Sequence, residues 1–212
     1  METFSSIAIP KQKVNQLVSD FRKNSLFIFL VIVLFAGIAA GALMIRTNGR
    51  QISQVLSSAT SAFLTDRSGQ TMIIKFFHSF FSSFWLLALI YVFGFSPLGQ
   101  IPSAAVVAFR GLGLGVAMGF EFVSNGYKGM VFVLLLIIPH AFISTFVLLK
   151  ASKNAVRISN LFAKAVVLPS DNPLSLNLVK SYSLHFLVFT LFIALSSVVD
   201  LTCVGLFSRF FV

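Results

Sequence analysis

Residues 108–119 read Ala-Phe-Arg-Gly-Leu-Gly-Leu-Gly-Val-Ala-Met-Gly, inside an apolar region that is almost unbroken from Phe76 to Phe122. A guanidinium at bilayer depth costs about 3 kcal/mol on insertion scales, so such a side chain normally faces a protein partner and not lipid. The stretch therefore predicts a membrane-spanning helix in which Arg110 points toward other parts of the protein.

Glycines mark one face of this helix. Gly111, Gly115 and Gly119 recur every four residues, and Gly37 and Gly41 have the same spacing in an apolar stretch nearer the N-terminus. Lipid provides no hydrophobic drive between helices, so their association depends on close backbone approach, which small residues permit. The glycines predict either packing of helices within one chain or contact with another subunit of a homo-oligomer.

The composition indicates a polytopic membrane protein. Of its residues, 57% are hydrophobic and 10% are charged, whereas a soluble domain carries about 25% charged residues. The net charge is +10, but the Lys and Arg residues are spread between apolar stretches. This fits positively charged loops and attraction to anionic lipid better than binding of nucleic acid. The single Cys203 excludes a disulfide framework.

Five apolar stretches approach the roughly 20 residues needed to cross the bilayer. They predict an all-α, polytopic protein with five transmembrane helices in a single integral membrane domain over residues 1–212. The predicted spans are 26–44, 76–95, 101–122, 130–149 and 184–207. Ala40 and Ala42 resemble a signal-peptidase site, but the first stretch exceeds the roughly 7–15 apolar residues of a signal peptide, so we expect the first helix to be retained.

Three connections between the spans have recognisable patterns. In the segment from Gln51 to Lys75, apolar residues recur at intervals of three and four, which predicts a short interfacial helix. The segment from Ala151 to Leu168 reads as a basic amphipathic helix on the inner leaflet, ended by Pro169, with an ordinary solvated loop as the alternative. The glycines and prolines between Phe93 and Pro102 predict a tight turn between an antiparallel second and third helix.

The distribution of positive charge predicts the orientation. With five spans the termini lie on opposite sides, and Lys and Arg are more frequent on the cytoplasmic side. The side of the N-terminus would carry Lys11, Lys13, Arg22, Lys23, Lys150, Lys153, Arg157, Lys164 and Lys180. The other would carry only Arg46, Arg50, Arg67, Lys75, Lys128 and Arg209. We therefore expect a cytoplasmic N-terminus and an outside C-terminus.

Arg110 needs a partner near the centre of the bilayer. It lies nine residues from the predicted inner end of its helix, which is about 14 Å. Pro139 and His140 lie at a similar depth in the fourth span, and Pro139 frees the carbonyl of Leu135 from its helical hydrogen bond. The candidate acceptors are this carbonyl and the carboxylates of Asp200 and Glu121. Arg110 then either fixes helix register, lines a path for an ion, proton or substrate, or contacts a partner.

No catalytic, cofactor or metal site is predicted. The three histidines, His78, His140 and His185, fall in different spans, and Asp200 and Glu121 are the only acidic residues inside the spans. The motifs His-Glu-x-x-His, Gly-x-Ser-x-Gly and Gly-x-x-x-x-Gly-Lys-Ser/Thr are absent from the sequence. We therefore expect a non-enzymatic protein.

A family resemblance rests on motifs in the same order along most of the chain. They are Arg22-Lys23-Asn24-Ser25-Leu26, Gly94-Phe95-Ser96-Pro97-Leu98-Gly99, Phe109-Arg110-Gly111, Lys128-Gly129 and Ile138-Pro139-His140. Together with the glycines of the first and third spans, they resemble the stage II sporulation protein M family. The family often has an amide soon after the proline of the fourth helix, where this chain has Ala141.

The resemblance implies a polytopic protein of the bacterial cell membrane without catalytic residues. It further implies an anchor that recruits cell-wall hydrolases, the stage II sporulation proteins D and P, for septal peptidoglycan thinning and engulfment of the forespore. Two alternatives remain open at this point. Arg110, the broken turn and the basic amphipathic segment are also typical of a permease subunit that works with a cytoplasmic ATPase. The third alternative is an intramembrane enzyme.

Overall fold

A computed structural model describes residues 24–47, 72–167 and 176–207 of the chain, and these residues form helices without a strand. The helices are α1 (Asn24–Thr47), α2 (Met72–Gly94), α3 (Gln100–Phe132), α4 (Ile138–Val167) and α5 (Leu176–Phe207), with a π-helix at Val133–Ile137. Five helices are long and apolar enough to cross a membrane. The prediction of an all-α, polytopic membrane protein is confirmed.

The chain reverses direction inside the residues assigned to α3. Gly126 has a φ of 52° and a non-helical ψ, a conformation that glycine adopts without steric cost. Arg110 Nη2 lies 2.8 Å from Ser144 Oγ, although 34 residues separate them. In one straight helix they would be about 51 Å apart. The segments before and after Gly126 therefore form an antiparallel hairpin, and the fourth crossing begins before the π-helix.

Helix α4 is the centre of the bundle. In the most apolar 18-residue segment of each membrane-spanning helix, 44% of the α4 segment is buried, against 22–28% of the segments of the other four helices. On one side it packs with α2 and α5, in a core that contains Leu87, Ile90, Leu148, Ala151, Ala155, Tyr182, Phe186 and Ile193. On another side it packs with α1 and α3 through Leu30, Leu34, Val107 and Leu149. The remaining faces of the outer helices are largely apolar and exposed.

The predicted inner-leaflet helix is not a separate element. Helix α4 continues without a break through this segment to Val167. Ala151, Ser152, Ala155, Val156 and Ser159 are buried, so this side of the segment packs inside the bundle, whereas Leu161 is exposed. The amphipathic pattern correctly predicts a helix, but Ala151 and Ala155 of that helix pack in the core with α2 and α5, and Ser159 bonds to the turn between α2 and α3.

The predicted tight turn occupies Phe95–Gly99. Non-helical backbone at membrane depth persists only where protein or water satisfies its polar groups. Here Ser159 Oγ of α4 donates to the carbonyl oxygens of Ser96, at 2.8 Å, and Pro97, at 3.3 Å. Helix α3 then begins at Gln100, whose side chain bonds to Asn160 of α4. The turn is thus fixed from outside by the central helix.

Several sequence predictions lie outside the described residues. These are the basic residues before Asn24, most of the predicted interfacial helix and the C-terminal Arg209. Of the segment from Gln51 to Lys75, only residues 72–75 are described, and they form the start of α2.

Candidate functional site

Helices α1 and α3 meet along their glycines with almost no side chain between them. A Cβ built on Gly37 would lie 2.5 Å from the carbonyl oxygen of Ala108 and 3.3 Å from Cα of Gly111. One turn later, a Cβ built on Gly41 would lie 3.1 Å from the carbonyl carbon of Gly115. Contacts that advance by one turn on both helices mean that α1 and α3 run parallel. Both therefore cross the membrane in the same direction.

The glycines of α3 differ in how tightly they are packed. A Cβ on Gly111 or Gly115 would collide with the backbone of Leu34 or Ile38, respectively. At Gly119 the nearest atom would be Cα of Ala42 at 3.4 Å, an ordinary contact. Gly113, which is off this face, has no atom within 4 Å of such a Cβ. The close approach is therefore concentrated at Gly111 and Gly115.

Arg110 lies beside this interface and bonds to the central helix. Its Nη2 donates to Ser144 Oγ at 2.8 Å, and Ser144 Oγ donates to the carbonyl oxygen of Ala141 at 3.2 Å. A hydroxyl has one donor and two acceptor sites, so Ser144 serves both groups at once. Hydrogen bonds to charged groups contribute about 1.5–3 kcal/mol. This serine was not among the acceptors that sequence reasoning proposed for Arg110.

The three proposed acceptors lie in α3, in the π-helix and in α5. Glu121 accepts a hydrogen bond of 2.8 Å from Asn125 Nδ2 and lies 11 residues from Arg110, or about 16 Å along the helix. Leu135 is inside the π-helix at Val133–Ile137 and lies four residues before Pro139, whose missing N–H excludes a regular helical hydrogen bond to the Leu135 carbonyl. Asp200 is buried in α5.

His140 and Pro139 sit where α4 meets α5. The ring Nδ1 of His140 lies 3.0 Å from both the carbonyl oxygen and the hydroxyl of Ser196, and the same hydroxyl donates to the backbone carbonyl of His140 at 3.1 Å. Asp200 follows Ser196 by one turn. The contact is a link between two helices, and His140 is held by α5 in this arrangement.

Several buried polar atoms along α2, α3 and α4 have no hydrogen-bond partner among the described residues. They are the hydroxyls of Ser83, Ser103, Thr145 and Ser152 and Nε of Arg110. Ser103 lies two turns before Arg110, and Ser152 lies about two turns after Ser144. Since α3 and α4 are antiparallel around Gly126, these two serines occupy the same level of the bundle. Buried polar atoms therefore occur at more than one level of the bundle.

An aromatic cluster at the end of α2 was not predicted from the sequence. The ring of Tyr182 stacks on Tyr91 with centroids 5.3 Å apart, and its hydroxyl donates to the carbonyl of Tyr91 at 3.2 Å. A Cβ on Gly94 would lie 2.8 Å from Cζ of Tyr182. Phe95 completes the cluster by packing edge-on against Tyr182. The glycine and phenylalanine of the Gly-Phe-Ser-Pro turn are therefore explained by a residue of α5.

Chemically, these residues connect helices. Within residues 24–47, 72–167 and 176–207, no three His, Cys, Asp or Glu side chains are close enough to hold a metal ion. Polar side chains link α3 with α4, α4 with α5, α1 with α4 through Asn24 and Lys153, and α2 with α5 through Tyr91 and Ser183. The arrangement can hold five helices in one relative position.

Comparison with known proteins gives one result. The sequence model of the family Stage II sporulation protein M matches residues 26–205. No curated protein and no solved structure matches the chain. The match begins two residues into α1 and ends within α5, so it includes the glycine interface, Arg110 and the turn after α2. The chain therefore belongs to the stage II sporulation protein M family.

Proposed function

We propose that this protein is a non-enzymatic membrane anchor that recruits cell-wall hydrolases, the stage II sporulation proteins D and P, for septal peptidoglycan thinning and forespore engulfment. The observation that carries the proposal is the family match over residues 26–205. An anchor needs a fixed arrangement of helices and a surface that partners can reach. It needs no reacting side chains.

The packing of the bundle supports this role. Helices α1 and α3 approach through backbone atoms at Gly37 and Gly115, and polar links attach α3 and α5 to α4 through Ser144 and His140. Small residues and hydrogen bonds are the main sources of helix association in lipid. Such links favour one arrangement of the five helices, so the outer faces keep a constant shape for a partner.

A pull-down from sporulating cells tests the proposal. The tagged wild-type protein and a Gly113→Leu variant are expected to retain the two hydrolases, because Gly113 has open space around it. Gly115→Leu is expected to lose them, since a larger side chain must separate α1 from α3. Recovery of neither hydrolase with the wild type, in membranes where both are expressed, contradicts the anchor role.

We further propose that the N-terminus is cytoplasmic. Among the residues whose exposure the structure describes, the exposed basic residues at the end of the bundle where α4 finishes are Lys150, Arg157 and Lys180, and those at the opposite end are Arg46 and Lys128. The bias agrees with the positive-inside rule. A reporter that works only outside the cytoplasm should be active after Val212 and silent in the connection between α4 and α5. Reporter activity in that connection would show that the protein has the opposite orientation.

A permease subunit that works with a cytoplasmic ATPase is the second candidate. The unpartnered polar atoms of Ser83, Ser103, Arg110, Thr145 and Ser152 favour it, because a polar interior could hydrate a substrate path. Proteoliposomes separate the two functions. A wild-type flux that Arg110→Leu abolishes, while the variant still folds and still binds the hydrolases, supports transport; we expect no flux.

A further inference from the structure

Helices α2 and α4 pack through two matching rows of residues. Both helices run antiparallel to α3 and are therefore parallel to each other. A Cβ built on Gly94 would lie 3.3 Å from Cα of Ala155, so these two residues lie at the same level of the bundle. Counting back from this pair, both rows use the same intervals; they are Ile90, Leu87 and Ser83 in α2, and Ala151, Leu148 and Ser144 in α4. Each row keeps to one helix face, and the apolar members share one core. Ser83 is therefore level with Ser144, on the side of α2 that packs on α4.

Three helices bring polar atoms to this level. Ser83 of α2 and Ser144 of α4 are both 0% exposed, and Arg110 of α3 donates to Ser144 Oγ at 2.8 Å. In the described part of the chain, Ser83 Oγ and Arg110 Nε have no hydrogen-bond partner. A buried polar group without a partner is costly. The midplane site, defined by Ser83, Arg110 and Ser144, therefore has two unused hydrogen-bond donors.

The midplane site carries a positive charge without a carboxylate at its own level. The acidic residues of the described helices are Glu121 and Asp200. Glu121 is 11 residues from Arg110, or about 16 Å. Asp200 is one turn beyond the residue of α5 that bonds to His140, and His140 is one turn from Ser144. Because α4 and α5 are antiparallel, the two turns add, and Asp200 lies about 12 Å from the level of Arg110.

The depth of the site selects the kind of ligand. Arg110 lies ten residues after Gln100, the first residue of α3, which is about 15 Å and half of a hydrocarbon core of about 30 Å. An arginine side chain cannot reach a lipid headgroup from this depth. A water molecule would satisfy a donor but would leave the charge unbalanced. A small inorganic anion accepts hydrogen bonds from both unused donors and also balances the guanidinium charge.

We propose that a monovalent inorganic anion of the chloride class binds at the midplane site. Arg110 Nε and Ser83 Oγ donate to the anion, while Arg110 Nη2 keeps its hydrogen bond to Ser144. The anion balances the charge of Arg110 inside the membrane and joins α2 to the link between α3 and α4. This inference is independent of the anchor role, because it depends only on the packing of these three helices.

The test measures thermal unfolding of the purified full-length protein in neutral detergent by circular dichroism. Sodium chloride is replaced stepwise by sodium gluconate at constant ionic strength, because gluconate is too large for a buried site. A ligand that binds only the folded state raises the unfolding temperature as its concentration increases. We expect chloride to stabilise the wild type in a saturable manner. Equilibrium dialysis with radioactive chloride should find a single bound anion per chain.

Two variants and a matched control locate the anion. Ser83→Ala removes one donor, and the loss of a hydrogen bond to a charged group should weaken chloride binding about tenfold. Arg110→Gln removes the charge and should abolish the response to chloride. The control is Ser152→Ala, because Ser152 is also fully buried and its hydroxyl has no partner in the described part of the chain. This control lies about two turns from Ser144 and should respond to chloride as the wild type does.

The outcomes separate a specific site from a general effect of salt. Weaker chloride binding in Ser83→Ala, with a wild-type response in Ser152→Ala, supports the proposal. Equal unfolding temperatures of the wild type in chloride and gluconate overturn it, because the site then holds no anion. A wild-type response in Ser83→Ala, or an equal loss in Ser152→Ala, also overturns it, because the anion then binds elsewhere. Ser83→Ala keeps the charge of Arg110, so it decides the proposal even where Arg110→Gln does not fold.

Discussion

Adding a single methyl group at Gly115 should separate α1 from α3. A Cβ at this position would lie 2.8 Å from the carbonyl carbon and 2.9 Å from Cα of Ile38. Carbon atoms pack favourably at about 3.5–4.0 Å, so the two helices must move apart by roughly 1 Å at this point. The atoms in the way are backbone atoms, and no rotation of a side chain can relieve the contact.

The size of the effect follows from a comparison with Gly113. Alanine replaces glycine in the same helix in both variants, so both gain about 1 kcal/mol of helix propensity. Gly113 has no atom within 4 Å of a built Cβ, so Gly113→Ala should be neutral or slightly stabilising. Overpacking typically costs about 1–3 kcal/mol. We therefore expect Gly115→Ala to be less stable than Gly113→Ala by about 1–3 kcal/mol, the overpacking cost alone.

The measurement is unfolding of both variants and the wild type in the same mild detergent, followed by circular dichroism as denaturant is added. The difference between the two alanine variants isolates the packing cost, because propensity and detergent binding are shared. Gly115→Leu should lower the midpoint further, while Gly113→Leu should not. Equal stability of Gly115→Ala and Gly113→Ala would refute the close approach of α1 and α3 at this position.

Two further predictions concern the links to α4 and α5. Ser144→Ala should destabilise the protein by about 1.5–3 kcal/mol, because it leaves the half-buried Arg110 without this acceptor. The double variant Arg110→Leu with Ser144→Ala should recover most of that loss in detergent unfolding, and a double variant no better than Ser144→Ala alone contradicts the pairing. Gly94→Ala should destabilise through contact with Tyr182, and Tyr182→Phe should reduce this cost, with a coupling of at least about 0.5 kcal/mol in a double-mutant cycle. Strictly additive effects would show that these two residues do not touch.

The helices themselves were predictable because each leaves a local signal. A membrane span needs a long apolar stretch, and a tight turn needs glycine and proline, so the five helices and the turn at Phe95–Gly99 followed from composition and order. The glycine spacing of α3 also identified the face on which Gly111 and Gly115 approach α1. What the spacing could not distinguish was contact within the chain from contact between chains, because both use the same small residues.

The partners of polar residues were not predictable, because they depend on register between distant segments. Arg110 and Ser144 are brought together by the reversal at Gly126, and a shift of one residue in that turn would present a different side chain. The predicted spans place this connection within residues 123–129, but they do not fix the residue at which the chain reverses, and the partner of Arg110 depends on that residue. The same limit applies to Gly94, whose neighbour Tyr182 lies 88 residues away. The sequence around Arg110 or Gly94 therefore does not identify the distant residue that each one contacts.

Polar residues of α4 connect this central helix to several of its neighbours. His140 bonds to α5, Ser144 bonds to α3, and Ser159 bonds to the turn that joins α2 to α3. In water a central helix would hold its neighbours by burying large apolar side chains, but lipid solvates those side chains as well as protein does. The central helix must therefore use small residues and hydrogen bonds, and α4 has them on the faces that meet other helices. Apolar residues such as Leu148 and Leu149 fill the space between the helices, and many others remain exposed on the outside of the bundle, where lipid or a partner helix can contact them.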